Sequence, residues 1–381
     1  MKVVICPDSF KGSLSSAEVC DAIEKGLKNA SNKITLEILK IPLADGGEGT
    51  VDALISATNG KIVKVKVRDP LMREIEAFYG ILGDGKTAVI EMASASGLPL
   101  LKENERNPLI TTTYGTGELI KSAIKSGVDN IIIGIGGSAT NDGGSGAMRA
   151  LGAEFLDNKG NTIEQGGEAL QELSNIDMSQ FLFPVNKIKV EVACDVTNPL
   201  CGEKGASAVY GHQKGATPEM VQILDKALYN YAEIIKKDLK KDVANLPGAG
   251  AAGGLGAGLA AFLNAELRSG IDIVLDALDF DNQIQDANVI ITGEGKIDEQ
   301  TAYGKTIGGM LKRVKEKNIP VIAIAGAIQG DITALYNSGL TSAFSICNSP
   351  MSLENAMANS NELLKKISEN IARLILQSKG E

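Results

Sequence analysis

The sequence predicts an α/β protein of two domains, one a discontinuous Rossmann-like parallel α/β domain and the other an inserted mixed α/β domain. Three observations carry this. Strand–loop–helix units open the chain and return at its end, while short alternating strands separated by turn residues interrupt them from residue 61 onward. Neither flanking piece alone is large enough for a well-covered sheet, so the two ends combine. The expected boundaries are 1–65 with 287–381 for the Rossmann-like domain and 66–286 for the insertion. A chain of 381 residues suits two domains at roughly 150 residues or more apiece.

Taken in order, Val3 to Cys6 reads as a buried strand that ends at Pro7-Asp8-Ser9-Phe10-Lys11-Gly12-Ser13. A helix follows, because Ser15 and Glu18 match a capping box and Val19, Ile23 and Leu27 recur at four-residue spacing. The loop therefore sits at a helix N-terminus, which favours negative charge. A second strand, Leu36 to Leu43, leads into Ala44-Asp45-Gly46-Gly47-Glu48-Gly49-Thr50 and a helix that Gly60 can close. Asp8, Lys11, Asp45 and Glu48 thus stand just past the carboxyl ends of strands, where open parallel sheets bind ligands.

Lys61–Val67, Glu74–Leu82 and Lys86–Met92 are alternating runs broken by Arg68-Asp69-Pro70 and Gly83-Asp84-Gly85, an antiparallel pattern. A helix is expected at 117–126 after the hydroxyl-rich Thr111–Thr116, and Ile131–Ile133 is a short buried strand. That strand delivers Gly134-Ile135-Gly136-Gly137-Ser138-Ala139-Thr140-Asn141-Asp142-Gly143-Gly144-Ser145-Gly146. Missing side chains let backbone N–H groups approach an anion, and Ser138, Thr140 and Asn141 add donors. Asp142 adds a carboxylate for a metal or a proton. A tight turn between strand and helix is the plainer reading, but such a turn has no need of six glycines and an Asn-Asp pair.

Lys187–Cys194 is the next strand and ends on Asp195. Residues 248–258, Gly-Ala-Gly-Ala-Ala-Gly-Gly-Leu-Gly-Ala-Gly, have a linker's glycine content but not its serines or charges. Leu255, Leu259, Phe262 and Leu263 begin an apolar helical face, so a glycine loop feeding a closely packed helix is expected. Asn288–Ile291 forms a strand leading into Thr292-Gly293-Glu294-Gly295-Lys296-Ile297-Asp298, and strands near 320–325 and 342–346 alternate with helices to the end.

The composition narrows the class of partner. A net charge of −9 disfavours nucleic acid or an anionic membrane as the main partner. Five scattered cysteines without a C-x-x-C pair indicate neither a disulfide framework nor a zinc site, and fit a reduced cytosol. The N-terminus has too few apolar residues for a signal peptide, and no apolar run approaches the roughly 20 residues of a membrane span. A cytoplasmic protein is expected, with its oligomeric state, a homodimer included, left open.

Two nucleotide motifs fit poorly. Gly134-x-Gly136-x-x-Ala139 with Glu154 formally matches a dinucleotide fingerprint, so a nicotinamide-dependent hydroxy-acid oxidoreductase has to be weighed. Here Thr140, Asn141, Asp142 and a second glycine cluster intervene before any helix, which would push a pyrophosphate off its N-terminus. Gly304-Lys305-Thr306 ends like a Walker A loop, but Glu299 stands where its first glycine belongs. His212 is the only histidine, so a histidine triad or histidine metal cluster lacks material. What the glycine loops do present is carboxylates and lysines. That inventory suits phosphoryl transfer, with an Asp to take a hydroxyl proton, acids for Mg²⁺, and lysines and N–H groups for phosphate charge. Each acid also has an ordinary reading as an N-cap or turn former.

Six segments in order, Pro7–Ser13, Ala44–Thr50, Thr113–Glu118, the Gly134–Gly146 loop, Cys194–Leu200 and Gly293–Thr301, closely resemble the bacterial type-1 glycerate kinases. The likeness runs from the first strand to about residue 375. It implies ATP-dependent phosphorylation of (R)-glycerate to 2-phosphoglycerate rather than 3-phosphoglycerate, on two α/β domains of the kind already read. With that reaction in view, Asp195 or Asp45 is the candidate base toward the glycerate hydroxyl. Glu294 and Asp298 face Mg²⁺, and Lys11 and Lys296 take phosphate oxygens. Asp8, Ser9, Gly46, Gly47, Gly136, Gly137, Ser138, Asn141 and Asp142 complete the expected substrate and phosphate contacts. Whether the Gly134–Gly146 loop holds nucleotide phosphates or the substrate carboxylate stays open. A non-catalytic sugar-acid or nucleotide sensor would need an appended effector module, for which two α/β domains leave little room.

Overall fold

The computed structural model describes residues 1–30, 35–185, 187–302 and 306–377. Gly304 and Lys305 of the Walker-like tripeptide lie outside the described residues. The chain divides into two compact units: Met1–Asp45, Asp52–Asn59 and Ile271–Glu381 form the first, and Gly46–Val51 with Gly60–Gly270 form the second. These crossings come earlier than the expected 65 and 287, for physical reasons. Lys61 already pairs with Ile81 in the inserted sheet. Ile271 is buried in the first unit, so close to Gly309 that a Cβ added there would lie 2.3 Å from Ile271 Cγ2.

In chain order the strands are β1 (Lys2–Ile5), β2 (Glu37–Lys40), β3 (Lys61–Arg68), β4 (Glu74–Ile81), β5 (Thr87–Glu91), β6 (Asn130–Gly134), β7 (Glu154–Leu156), β8 (Asn175–Asp177), β9 (Lys189–Ala193), β10 (Glu266–Arg268), β11 (Val289–Ile297), β12 (Val321–Ile328) and β13 (Ser342–Ser345). The first unit holds a five-stranded sheet in the order β13-β12-β11-β1-β2, and every pair in it is parallel. β1 lies between β2 and β11, so the winding reverses between β1 and β11. In doubly wound sheets the crevice beyond the carboxyl ends of two such strands is where ligands bind.

Helix Ser16–Ala30 starts where the capping box placed it, with Ser15 N–H on Glu18 Oε2 at 2.8 Å and Glu18 N–H on Ser15 Oγ at 3.3 Å. Its Val19, Ile23 and Leu27 are buried with Val3 and Ile5 of β1 and Leu364 and Ile371 of helix Ser360–Gln377. Burial of each such side chain contributes about 1.5–3 kcal/mol.

The second unit is built on a mixed six-stranded sheet, β10-β9-β6-β5-β4-β3, with a small β7-β8 hairpin beside it. β3 and β4 pair antiparallel as expected. β5 pairs antiparallel with β4, also as expected, and parallel with β6, because helix Tyr114–Lys125 makes the crossover between β5 and β6. That helix starts three residues before the expected 117.

β11 also differs. The glycine-rich run after Ile291, expected as a loop, continues as strand to Ile297, held in register against β12 from Ile290↔Val321 to Ile297↔Ile328. No helix among the described residues is long and apolar enough to cross a membrane.

Candidate active site

Past the carboxyl end of β1 and along the last residues of β11, the first unit holds a cavity of ≈ 770 Å³. Asp8, Ser9, Lys11, Asp45, Glu294, Lys296 and Asp298 all line it, so seven sequence-derived candidates meet on one surface. β1 delivers Asp8, whose N–H donates to Gly293 O at 2.8 Å, extending the pairing with β11 past the formal end of the strand. Ser9 and Lys11 follow Asp8 in the same loop, Asp45 comes after β2, and the continuation of β11 brings Glu294, Lys296 and Asp298. Glu294 and Lys296, two apart on a strand, point to the same side.

Two threonines that sequence reasoning passed over hold the acids. Thr306 Oγ1 donates to Asp8 Oδ2 at 2.5 Å, and the Ser9 N–H reaches Asp8 Oδ1 at 2.6 Å. Thr301 Oγ1 donates to Glu294 Oε1 at 2.8 Å and accepts from the Asp298 N–H at 3.1 Å. Both threonines are buried. Thr306 belongs to the Walker-like tripeptide, which was the one available signal.

Asp8 itself is buried. Burial pushes its carboxyl above the usual range, the Thr306 hydroxyl opposes that, and the nearby Asp45 charge adds to it. Lys296 Nζ pairs with Asp298 Oδ2 at 3.1 Å and stays half exposed.

The second unit carries the other candidates. Its loop after β6 divides into two parts. Gly136 and Gly137 are exposed past the strand, whereas Ser138 to Gly146 are buried. Ser138 makes a bridge to Gly97. Asp142 has no exposed surface. It accepts from the Thr113 N–H at 2.8 Å, Thr113 Oγ1 at 2.9 Å, and the Gly144 and Gly146 N–H groups at 3.1 and 3.2 Å. Asn141, equally buried, donates to Ser207 Oγ at 2.9 Å.

The glycine stretch at 248–258 packs directly on this loop. Gly143 N–H donates to Gly253 O at 3.0 Å, and a Cβ on Gly253 would come within 2.0 Å of Thr140 O. With φ at +68°, Gly253 is fixed twice over as glycine. Lys214 closes the cluster. Fully buried, it donates to Thr140 O at 2.7 Å, and burial pushes its ammonium down to about 7 against the pull of Asp142.

Asp195 follows β9 and is exposed; its Oδ1 accepts the Gly270 N–H at 2.9 Å. Gly46 is buried at the end of the same sheet at φ +87°, with Ala193 Cβ only 2.4 Å from where its own Cβ would stand. Gly47 Cα lies 3.5 Å from the Cβ position of Gly136. The dinucleotide fingerprint does not have its structural context here. The first helix after β6 begins at Ser145, beyond the buried Thr140–Asp142, and Glu154 is an exposed residue of β7.

Among the described residues no group of three or more His, Cys, Asp or Glu side chains is arranged to hold a metal. That still fits Mg²⁺, which binds through one or two carboxylates together with phosphates and water. Glu294 and Asp298 offer the hard oxygen donors this requires.

Comparison with known proteins places the whole chain among relatives of one family. The glycerate kinase family pattern matches residues 3–376. A Bacillus subtilis protein named glycerate kinase is 50% identical over 379 residues, covering 100% of this chain and 99% of its own length. An Escherichia coli protein named glycerate 2-kinase is 50% identical over 372 residues, covering 98% and 97%. The crystal structure of a Salmonella typhimurium protein, also 50% identical, covers 100% of both chains with a TM-score of 0.92. From the match over nearly its whole length, the chain belongs to the glycerate kinase family.

Proposed function

We propose that this chain is a glycerate kinase that transfers the γ-phosphoryl group of ATP to the C2 hydroxyl of (R)-glycerate, releasing ADP and 2-phosphoglycerate. The observation that carries the reading is the gathering of acids and lysines in one cavity at the β1/β11 switch point, in a member of this family. The C2 position is supported by the name of the Escherichia coli relative.

Charge supports the use of a metal nucleotide. Four described carboxylates, Asp8, Asp45, Glu294 and Asp298, face two ammoniums, Lys11 and Lys296, a formal balance of −2. A bare polyphosphate would be repelled. Glu294 and Asp298 would hold Mg²⁺, which when bound neutralises charge on the β- and γ-phosphate oxygens. Lys11 and Lys296 then bind the remaining phosphate oxygens, and Thr301 keeps Glu294 in its rotamer.

Asp45 is the stronger of the two base candidates. It shares the cavity with both lysines, whereas Asp195 stands in the other unit with one oxygen on the Gly270 N–H. In this role Asp45 accepts the C2 hydroxyl proton as the oxygen attacks phosphorus. Gly136 and Gly137, with exposed backbone past β6, are the proposed anion contacts of the second unit. Ser138, Asn141 and Asp142 keep those glycines in place.

The decisive measurement is glycerate-dependent ADP release with NMR of the product. Phosphorus coupled to one methine proton is expected. Coupling to the C3 methylene would make it a 3-kinase, and turnover of NAD(H) without ADP would remove the kinase reading.

A further inference from the structure

The charged groups are not the whole lining of the cavity. Large apolar side chains, Phe10, Ile346, Met351, Leu353 and Met357, line it as well, four of them from the stretch 346–357 that carries none of the cavity's acids or lysines. Phe10 and Ile346 are buried, Met351 and Met357 are half-buried, and Leu353 is 77% exposed. Leu353 is thus the most exposed large apolar side chain among the described residues. An isolated surface leucine needs no explanation, but this one lines a cavity mouth next to two methionines, whose flexible, polarizable side chains suit contact with an aromatic ring.

Size separates the two substrates. Pockets of roughly 300–1,000 Å³ hold ligands as large as a drug or a nucleotide, and ≈ 770 Å³ falls in that range. Three-carbon glycerate would leave most of the space empty, and it has no apolar surface to set against this wall. A nucleoside triphosphate has both a flat ring and a polyanion. It matches a cavity lined both by large apolar side chains and by Lys11 and Lys296.

We infer that the first-unit cavity is the nucleotide site, with the purine base seated on the apolar wall of Phe10, Met351, Leu353 and Met357 and the phosphates directed toward Lys11 and Lys296. The inference rests on the kinase reading above and goes beyond it by fixing which site takes the base and which residues meet it. Leu353 is then a nucleotide contact with no part in the chemistry.

The test uses the full-length enzyme, after confirming glycerate-dependent ADP release in the wild type; absence of that release would count against the kinase reading itself. Leu353→Asp, at an exposed position, is compared with Leu353→Phe. In Leu353→Asp the KM for ATP and the Kd for ADP, both measured with Mg²⁺, should rise at least tenfold, with the KM for glycerate and the Kd for Mg²⁺-tripolyphosphate within about twofold of wild type, taking about 1.4 kcal/mol per tenfold change. Leu353→Phe, which keeps an apolar surface at the same place, should hold the ADP Kd within about twofold of wild type. Unchanged ADP affinity in Leu353→Asp, or a rise confined to the glycerate KM, would overturn the assignment.

Discussion

At the residue scale, the candidate acids are distinguished by how they are held. Asp45 and Asp195 both follow strand ends, but they have different neighbours. Asp45→Asn should lower kcat by about 10²–10⁴ with little change in Tm, the usual cost of losing a general base. Asp195→Asn, which can still accept the Gly270 N–H through its amide oxygen, should lose far less. Steady-state kinetics of the two variants side by side decides between them, and near-normal turnover in Asp45→Asn would transfer the base role to Asp195.

Asp8 makes a different prediction. Its folded-state pKa lies above the usual 3.8 because burial disfavours the charge. The native state therefore keeps its proton longer than the unfolded state does. Stability from this group declines as pH rises from 3.8 through the raised value and stays lower above it. Asp8→Asn should melt higher than wild type at about pH 8, with the gap closing toward about pH 4. Thr306→Val, which removes the hydroxyl that opposes the shift, should move the acid limb of kcat/KM upward. Melting curves and pH–rate profiles are the two readouts.

At the element scale, the chain was legible wherever a local rule fixed the outcome. The capping box at Ser15 and Glu18 set a helix start, and the flanking strand–loop–helix units implied a sheet made from both ends. The course of β11 past Ile291 was not legible, because its glycines suggest a turn. It is pairing with β12, a strand that the sequence brings in only after an intervening helix, that keeps Gly293 and Gly295 extended. The apolar wall was equally hidden: Phe10, Ile346, Met351, Leu353 and Met357 show no shared periodicity, and only the fold brings them to one surface.

The loop after β6 shows the same limit. Its glycines looked like an anion cradle throughout, yet Gly143 and Gly144 accommodate a second glycine-rich segment backbone to backbone. Gly253→Ala should therefore be destabilising well beyond the propensity cost of about 1 kcal/mol, since the methyl meets Thr140 O and the residue sits at positive φ. Chemical denaturation would measure it, and a loss no larger than that propensity term would show that the loop can yield.

At the scale of the whole molecule, each unit has its own apolar core. One is centred on β1, β11 and helices Ser16–Ala30 and Ser360–Gln377, and the other on β5, β6 and β9. A ligand stabilises the state that binds it, by about 2.7 kcal/mol at a hundredfold excess over Kd. If the nucleotide belongs to the first unit, Mg-ATP without glycerate should slow amide exchange chiefly there, at Asp8–Lys11, Gly293–Asp298 and Ile346–Met357. Amides of β6 and of Gly136–Ser138 should change little until glycerate is added. Hydrogen-exchange mass spectrometry of the intact chain resolves these peptides, and protection appearing first at Gly136–Ser138 would place the nucleotide in the second unit and leave the first-unit cavity for the acid.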